Sequence, residues 1–408
     1  MGKLDRVAAD DLFAQLRHLH HLAVIVDKGS IASAAVALNR SASVLTRSAA
    51  RIEAILGLPL LERGKSGVRP MAAGEVLVAR IHRIDRQVAG AVAELRALPG
   101  TSPAGADYLM HSGGKLLMLI LLAEAGAVSK AASMLGLTQP GVSVALGRIE
   151  AQLGQRLFHR SSRGMVPTDL AERVTMRARL MRAEVRHALA ELAALVGSAA
   201  GTMVVGSLPM ARATILPAAI DAQLDARTPL QIQVVEAQRD TLLGMLRSGE
   251  VDAVLSIQGA AFDASDIVSE PLGLDRLGMV ADPRHPLALA DRIPIGALQS
   301  VRWILPLDGS VSRRLLDRCF EEAGLASPVP SVQSGDLLIM RRLLTRADMV
   351  AFTSLSLVRA ELETGALVAL DVDMAALHRE LLLLHRHSSL LPARSAAMLD
   401  FIRRAGVG

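Results

Sequence analysis

In the stretch LTQPGVSVALGRIEAQLGQRLFHR (137–160), apolar residues fall at Val142, Leu146, Ile149 and Leu153. Spacings of three and four give a helix one buried face. Thr138 and Pro140 set its start: a side-chain oxygen satisfies a first-turn N–H, and the N–H that proline lacks would have no partner there. Gly154 is placed to end it in a left-handed turn. The opposite face carries Gln139, Ser143, Gly147 and Arg148, which are small or hydrogen-bonding groups. The same periodicity predicts helices over 115–125 and 128–135 before this one and a long amphipathic helix over 169–195 after it. Between them, RLFHRSSRGMVPT reads as two short strands around a basic, glycine-containing loop. Two helices joined by a tight turn, with alanines at their crossing and a hairpin behind, form a winged helix-turn-helix. Its second helix enters the DNA major groove.

The pattern occurs twice. Residues 29–75 lie over 126–172 without a gap at an offset of 97: Ala34-Ala35 over Ala131-Ala132, Arg51-Ile52-Glu53 over Arg148-Ile149-Glu150, Gly57 over Gly154, Gly67 over Gly164. Two copies are too few for a solenoid and read as a duplicated domain. The first copy predicts helices over 12–28 and 31–38 and a long helix over 74–98. LPGTSPAGAD (98–107), rich in Pro, Gly and small residues, reads as the connection between copies. The first copy keeps the packing residues Ala34, Ala35, Leu38, Ile52, Leu56 and Leu60 but changes the reading ones, with Ser-Ala-Ser where the second has Thr-Gln-Pro. Asn39, in place of Gly136, tolerates a left-handed turn. Arg40 replaces Leu137, which is read as facing inward, and is harder to bury. Basic residues persist at Arg47, Arg63, Lys65 and Arg69. The copy is expected to fold, to read bases poorly, and to hold phosphate or pack against its neighbour. The competing view gives each chain two reading helices and a longer operator.

From residue 202 short apolar runs alternate with helical patterns: MVVGSL, ILPAAIDAQLDAR, LQIQVVEA, DTLLGMLRSGEVD, AVLSI. This β-α-β-α-β order predicts a parallel sheet flanked by helices. A second such set runs from GLDRLGMV to ALVALDVD, and RELLLLHRHSSLLPARSAAMLDFIRRAG supplies a last strand and a closing helix. Two such lobes, with a ligand at the carboxyl ends of the strands, suit a hinged small-molecule sensor.

Charge supports the division. Residues 1–200 hold 25 Lys+Arg against 16 Asp+Glu, and residues 201–408 hold 20 against 24. A basic first half joined to a mildly acidic second half fits a polyanion-binding region tied to something else. The one cysteine, Cys319, excludes an internal disulfide framework and a multi-cysteine zinc site. It is read as a helix-face residue. No signal-peptide pattern opens the chain and no apolar run approaches ~20 residues, so it reads as cytoplasmic and without a membrane partner. His18, His20 and His21 cluster, as do His378, His385 and His387, without metal-ligand spacing. They read as structural, with no metal and no cofactor. No GxSxG, P-loop or dinucleotide fingerprint marks a catalytic residue or an enzyme.

The second copy resembles the DNA-binding domain of LysR-type transcriptional regulators. The likeness rests on Ala131, Ala132, Leu135, Thr138, Gln139, Pro140, Ser143, Arg148, Glu150, Leu153, Gly154, Leu157, Phe158, Arg160, Gly164 and Thr168. The C-terminal half is similar to the effector domain of the same regulators, itself shaped like periplasmic binding proteins. A tandem pair departs from that family's single copy. The implied architecture is multidomain, α plus α/β. Residues 1–98 form a degenerate winged helix-turn-helix with its helix, 99–111 a linker, and 112–198 the LysR-type winged helix-turn-helix with a long dimerisation helix. Residues 201–408 form a two-lobed periplasmic-binding-protein-like effector domain, with lobe I about 201–270 and 373–408 and lobe II about 271–372. The implied function is a transcriptional regulator sensing a small, anionic metabolite. Its partners are double-stranded DNA, the effector and further copies of itself as homodimer or homotetramer through paired long helices, with RNA polymerase open as another. Rival readings are an architectural DNA binder whose α/β half only oligomerises, and an α/β enzyme tethered to nucleic acid.

Gln139 and Ser143 are the candidates for base edges, glutamine matching adenine N6/N7, and Pro140 for a thymine methyl. Thr138 stands with them at the helix mouth. Arg148, Arg160, Ser161, Ser162 and Arg163 are candidates for phosphate contacts, which position without reading. Arg148, two residues from Glu150, is equally a candidate for an internal ion pair. In the effector half, Ser207 follows the first strand where helix N–H groups favour an anion. Gln238 and Arg239 follow the second strand, and Ser310 and Thr353 occupy the matching positions in the second lobe.

Overall fold

The computed structural model describes residue 4 and residues 7–64, 67–162, 164–198, 201–259 and 265–406. In the N-terminal half a single element order runs twice. The first run is α1 (Ala9–Phe13), α2 (Leu16–Lys28), α3 (Ile31–Leu38), α4 (Ala42–Leu56), the hairpin β1 (Leu61–Gly64) with β2 (Gly67–Pro70), and α5 (Ala72–Arg96). The second is α6 (Pro103–Met110), α7 (Gly113–Ala125), α8 (Val128–Leu135), α9 (Gln139–Leu153), the hairpin β3 (Phe158–Ser161) with β4 (Gly164–Pro167), and α10 (Asp169–Leu195).

Local signals account for these boundaries. Thr138 caps α9 by accepting from the Gly141 N–H, and Gly154 closes it at φ 77°. Asn39 takes the left-handed turn at φ 49°, as Gly136 does at 64°. The turn that starts each hairpin's second strand requires glycine. A Cβ on Gly67 or Gly164 would stand 2.4 or 2.3 Å from the carbonyl oxygen of Gly29 or Gly126, the oxygens that accept from Val68 and Met165.

Three expectations change. The segment read as a linker carries α6: Ser102 caps it, Pro103 sits in its first turn, and Ala106, Leu109 and Met110 are buried. Gly105 serves close approach rather than flexibility, since a Cβ there would meet the Gln152 oxygen at 2.1 Å. The helix over 12–28 is broken between Phe13 and Leu16. Leu137 does not face inward but is 54% exposed, so Arg40, also exposed, replaces nothing buried and folds without strain.

The C-terminal half begins with β5 (Thr202–Ser207), α11 (Pro209–Ala213), α12 (Ile215–Asp225), β6 (Gln231–Val235), α13 (Arg239–Ser248), β7 (Ala253–Ile257) and β8 (Ile267–Ala281). Then come β9 (Ile293–Pro294), β10 (Arg302–Leu305), α14 (Val311–Glu322), β11 (Pro330–Gln333), α15 (Leu337–Leu344), β12 (Met349–Ser354), α16 (Arg359–Glu363), β13 (Val368–Ala369), β14 (Val372–Asp373), β15 (Leu377–Arg386) and α17 (Ala393–Gly406). The sheet is mixed rather than wholly parallel. Its order is β11-β10-β12-β8-β15-β7-β5-β6, with β13 also on β8, and β8 and β15 run antiparallel to each other and to their outer neighbours. Those two long strands join two apolar cores. One is built on Val205, Leu242, Leu255 and Leu383, and the other on Trp303, Leu305, Phe320 and Phe352. The register shifts where Pro271 and Gly273 enter β8, the kind of irregularity at which a strand bends.

Candidate nucleic-acid interface and effector cleft

Helix α9 presents Gln139 and Pro140 to solvent on its first turn, with Ser143 half-buried one turn on. Thr138 is exposed too, but its hydroxyl oxygen is engaged as the cap. Arg148 is exposed on the same helix. Its candidate partner Glu150 is turned inward instead, where it accepts from the Leu157 and Phe158 N–H groups at 2.8 and 3.2 Å and pairs with Arg156 at 3.2 Å. Glu53 accepts from Leu60 and Leu61 in the same way. The glutamate of the repeated Arg-Ile-Glu therefore pins the strand entry, while the arginine stays exposed in both copies, Arg51 donating to Gln15 Oε1 at 2.7 Å.

Arg160, Ser161 and Ser162 are exposed on the hairpin, where the Ser161 hydroxyl donates to the Gly164 carbonyl; Arg163 lies outside the described residues. Between α9 and the hairpin is a recess of about 350 Å³ lined by Ser143, Gly147, Arg156, His159 and Arg160. Arg156 and His159 do not stand out in the sequence as DNA contacts. His159 and Arg160 both lie in the exposed run of β3 that follows buried Phe158.

In the C-terminal half, the residues singled out from the sequence fall in two lobes, with Ser207 at a strand end, Gln238, Arg239 and Ser310 at helix starts, and Thr353 within a strand rather than in the loop that follows it. Ser207 ends β5, is fully buried, and donates to the Leu208 carbonyl. Helix α11 behind it has only five residues, so little dipole stands there. Gln238 is the cap residue of α13, and Arg239 begins that helix with its guanidinium against Gly259. In the other lobe, Ser310 caps α14 by accepting from the Arg313 N–H. Thr353 is buried in β12.

A buried ionic cluster lies beside them in the chain, at Ser312 and Ser354. Asp275 of β8 accepts from Arg379 Nε at 2.7 Å, Ser354 Oγ at 2.5 Å and Ser356 Oγ at 3.3 Å. Arg379 also donates to Ser312 Oγ at 2.7 Å. Asp275 and Arg379 face each other on the two crossing strands, so the cluster sits at the junction of the lobes. Helix α11 meets it by packing on the turn Leu355–Val358. Sequence reasoning misses this cluster because its members are remote in the chain.

Four of the six clustered histidines have side-chain partners. Ser48 Oγ lies 3.0 Å from His18 Nδ1 and 2.9 Å from His21 Nδ1, His20 pairs with Asp85, and His385 with Glu270. Burial, helped by the charges of His20 and His18, lowers the His21 pKa to about 4. Among the described residues no group of three potential ligands is placed to hold a metal, and no helix is long and apolar enough to cross a membrane.

Residues 197–406 match the LysR substrate binding domain, and residues 16–75 and 114–172 each match the bacterial regulatory helix-turn-helix protein of the lysR family. The chain belongs to the LysR family of transcriptional regulators. This LysR-type regulator is 36% identical over 385 residues to the HTH-type transcriptional regulator GalR of Pseudomonas putida, an alignment covering 93% of this chain and 94% of GalR. GbpR of Rhizobium radiobacter is 26% identical over 58% of this chain and 79% of its own. A full-length OxyR variant from Pseudomonas aeruginosa shares the fold, with TM-score 0.52 and 20% identity over 72% of this chain and 95% of OxyR. CbnR, a LysR family regulator, aligns with TM-score 0.52 and 17% identity over 72% of this chain and 98% of CbnR. These relatives are regulators rather than enzymes, and the family's helix-turn-helix and substrate-binding domains account for both halves of this one. OxyR and CbnR are used up while over a quarter of this regulator remains unmatched; GalR aligns nearly end to end.

Proposed function

We propose that the chain reads its operator with α9 and senses a small anion between the two lobes of its C-terminal half. In this reading residues 1–98 and 112–198 are tandem winged helix-turn-helix domains, α6 packs between them, and residues 201–406 form a periplasmic-binding-protein-like sensor. The observation that supports the DNA assignment is the exposed first turn of α9 beside a basic hairpin: Gln139 and Pro140 reach base edges, while Arg148, Arg160, Ser161 and Ser162 take phosphates. Further copies of the chain and RNA polymerase complete the set of partners.

The two kinds of contact separate experimentally. Gln139→Ala is expected to lower the preference for operator over random DNA by roughly 1–3 kcal/mol and to leave non-specific binding nearly intact. Arg160→Ala is expected to weaken both and to reduce the salt slope by about one. Titration against specific and random duplexes at several salt concentrations reads the difference, and identical behaviour of the two variants would refute the sorting.

For the sensor, a bulky substitution at Ser207 is no test, because a tryptophan at this fully buried position would unseat β5 rather than fill a cleft. Arg239→Leu is the cleaner variant: the residue begins α13, its guanidinium lies beside Gly259 and 3.6 Å from Asp240, and it belongs to neither apolar core. A thermal-shift panel of small carboxylic acids should include compounds that stabilise the wild type. That stabilisation should fall at least tenfold in apparent affinity in Arg239→Leu while operator binding is kept; an unaltered response would place the anion elsewhere.

A path from sensor to reader is built in. Asp252 of lobe I is fully buried and accepts from Arg186 at 2.6 Å and His187 at 2.8 Å, both on α10, and from the Val204 N–H at 2.9 Å. Lobe movement therefore pulls directly on the helix that follows the α9 domain.

A further inference from the structure

Helices α5 and α10 pack along each other within one chain, and their polar contacts are reciprocal. Arg80 donates to Glu184 at 2.8 Å and to Glu191, and Arg177 donates to Gln87 at 2.9 Å and to Glu94. At the repeat offset Arg80 corresponds to Arg177, Gln87 to Glu184 and Glu94 to Glu191. Each contact thus has a counterpart in which the two copies exchange roles. Early α5 meets late α10 and late α5 meets early α10, so the helices are antiparallel.

The buried positions obey the same exchange: Leu77, Ile81, Ile84, Val88, Ala91 and Leu95 correspond to Val174, Ala178, Met181, Val185, Ala188 and Leu192, and all are buried. The flanking helices follow suit, since α1 packs on α10 and its counterpart α6 packs on α5. One apolar core runs through both copies. Contacts in which i meets j and the equivalent of j meets the equivalent of i define a two-fold, isologous interface. Here it closes inside a single polypeptide, which corrects the expectation that the long helices pair between subunits.

We propose that this pseudo-two-fold pair is one DNA-docking unit, so that a single chain spans two adjacent half-sites, one read by α9 and one held by α4 and its hairpin. The proposal rests on α9 being the reading helix. A two-fold arrangement that presents α9 to one half-site presents α4 to the next, about 10 base pairs or a multiple away. The exposed polar groups that α4 brings include Ser43, Arg47 and Arg51, the last donating to Gln15 Oε1 at 2.7 Å, with Arg63 and Arg69 exposed on the β1–β2 hairpin. They are donors and cations suited to phosphate, without the glutamine and proline of α9. The operator should accordingly have one strongly specified half and one weakly specified half.

The test uses the full chain, with DNA selected from a pool of random duplexes, footprinted with hydroxyl radicals and weighed as the intact complex. Wild type should protect two segments per bound chain. The triple variant Arg47→Glu, Arg63→Glu, Arg69→Glu, all at exposed positions, should recover the same specified half, lose protection of the other, and bind about tenfold or more weakly at 0.15 M salt. One protected segment per chain, or an unshortened footprint in the triple variant, overturns the proposal. If Gln139→Ala leaves the recovered sequence unchanged, the α9 reading falls instead, and the number of segments protected per chain still decides the pairing.

Discussion

Asp252→Ala is expected to remove about 3–5 kcal/mol from the stability of the lobe I–α10 junction, a fall of about ten degrees in its melting temperature. The carboxylate is wholly buried and satisfies Arg186, His187 and the Val204 N–H together. Its removal strips Arg186 of its counter-charge and leaves the other two donors without an acceptor where water does not reach. Burial alone would push the Asp252 carboxyl up, but the His187 hydrogen bond and the Arg186 charge outweigh it and hold the pKa below the ordinary carboxylate value. The folded state therefore binds this proton less readily than the unfolded one. Its contribution is complete above the ordinary carboxylate pKa and lost as pH falls through the depressed folded value. Asp252→Asn, which keeps an oxygen for Val204, should lose less. Melting curves over a pH series check both points; a loss under about 1 kcal/mol in the alanine variant would mean that other contacts hold lobe I to α10.

The second large effect separates two residues that the repeat makes equivalent. Arg80→Met should destabilise the N-terminal unit by about 3–5 kcal/mol, because Arg80 is 2% exposed and its loss strips Glu191 of its cation and leaves Glu184 with Arg83 alone. Arg177→Met should cost about 0–1 kcal/mol, because Arg177 and Glu94 are 34% and 43% exposed. The difference comes from the sensor: Arg80 also donates to the Leu390 carbonyl at 2.8 Å, so lobe I covers one end of the helix pair and not the other. Urea unfolding of both variants makes the comparison, and equal losses would rule out this source of asymmetry.

Much of the molecule is legible from local chemistry. The α9 boundaries follow from Thr138, Pro140 and Gly154, the duplicated plan from one constant offset, and the α/β order from alternating apolar runs, because caps, turns and periodicity act between residues close in the chain. Exposure of Gln139 and Pro140 follows from the same periodicity. Segment 98–107 misleads because glycine and proline mark both flexible connections and tightly packed helix starts. Only packing distinguishes them, here through the close approach of Gly105 to Gln152. Leu137 misleads because one apolar residue at a turn carries no periodicity.

Long-range pairing decided the rest. That the sheet is mixed depends on β8 and β15 meeting across more than a hundred residues, and the Asp275–Arg379 cluster exists only because they do. That α5 pairs with α10 in the same chain is equally a tertiary fact. An amphipathic helix announces that it needs an apolar partner, but its sequence is the same whether that partner comes from a second molecule or from the copy 97 residues away.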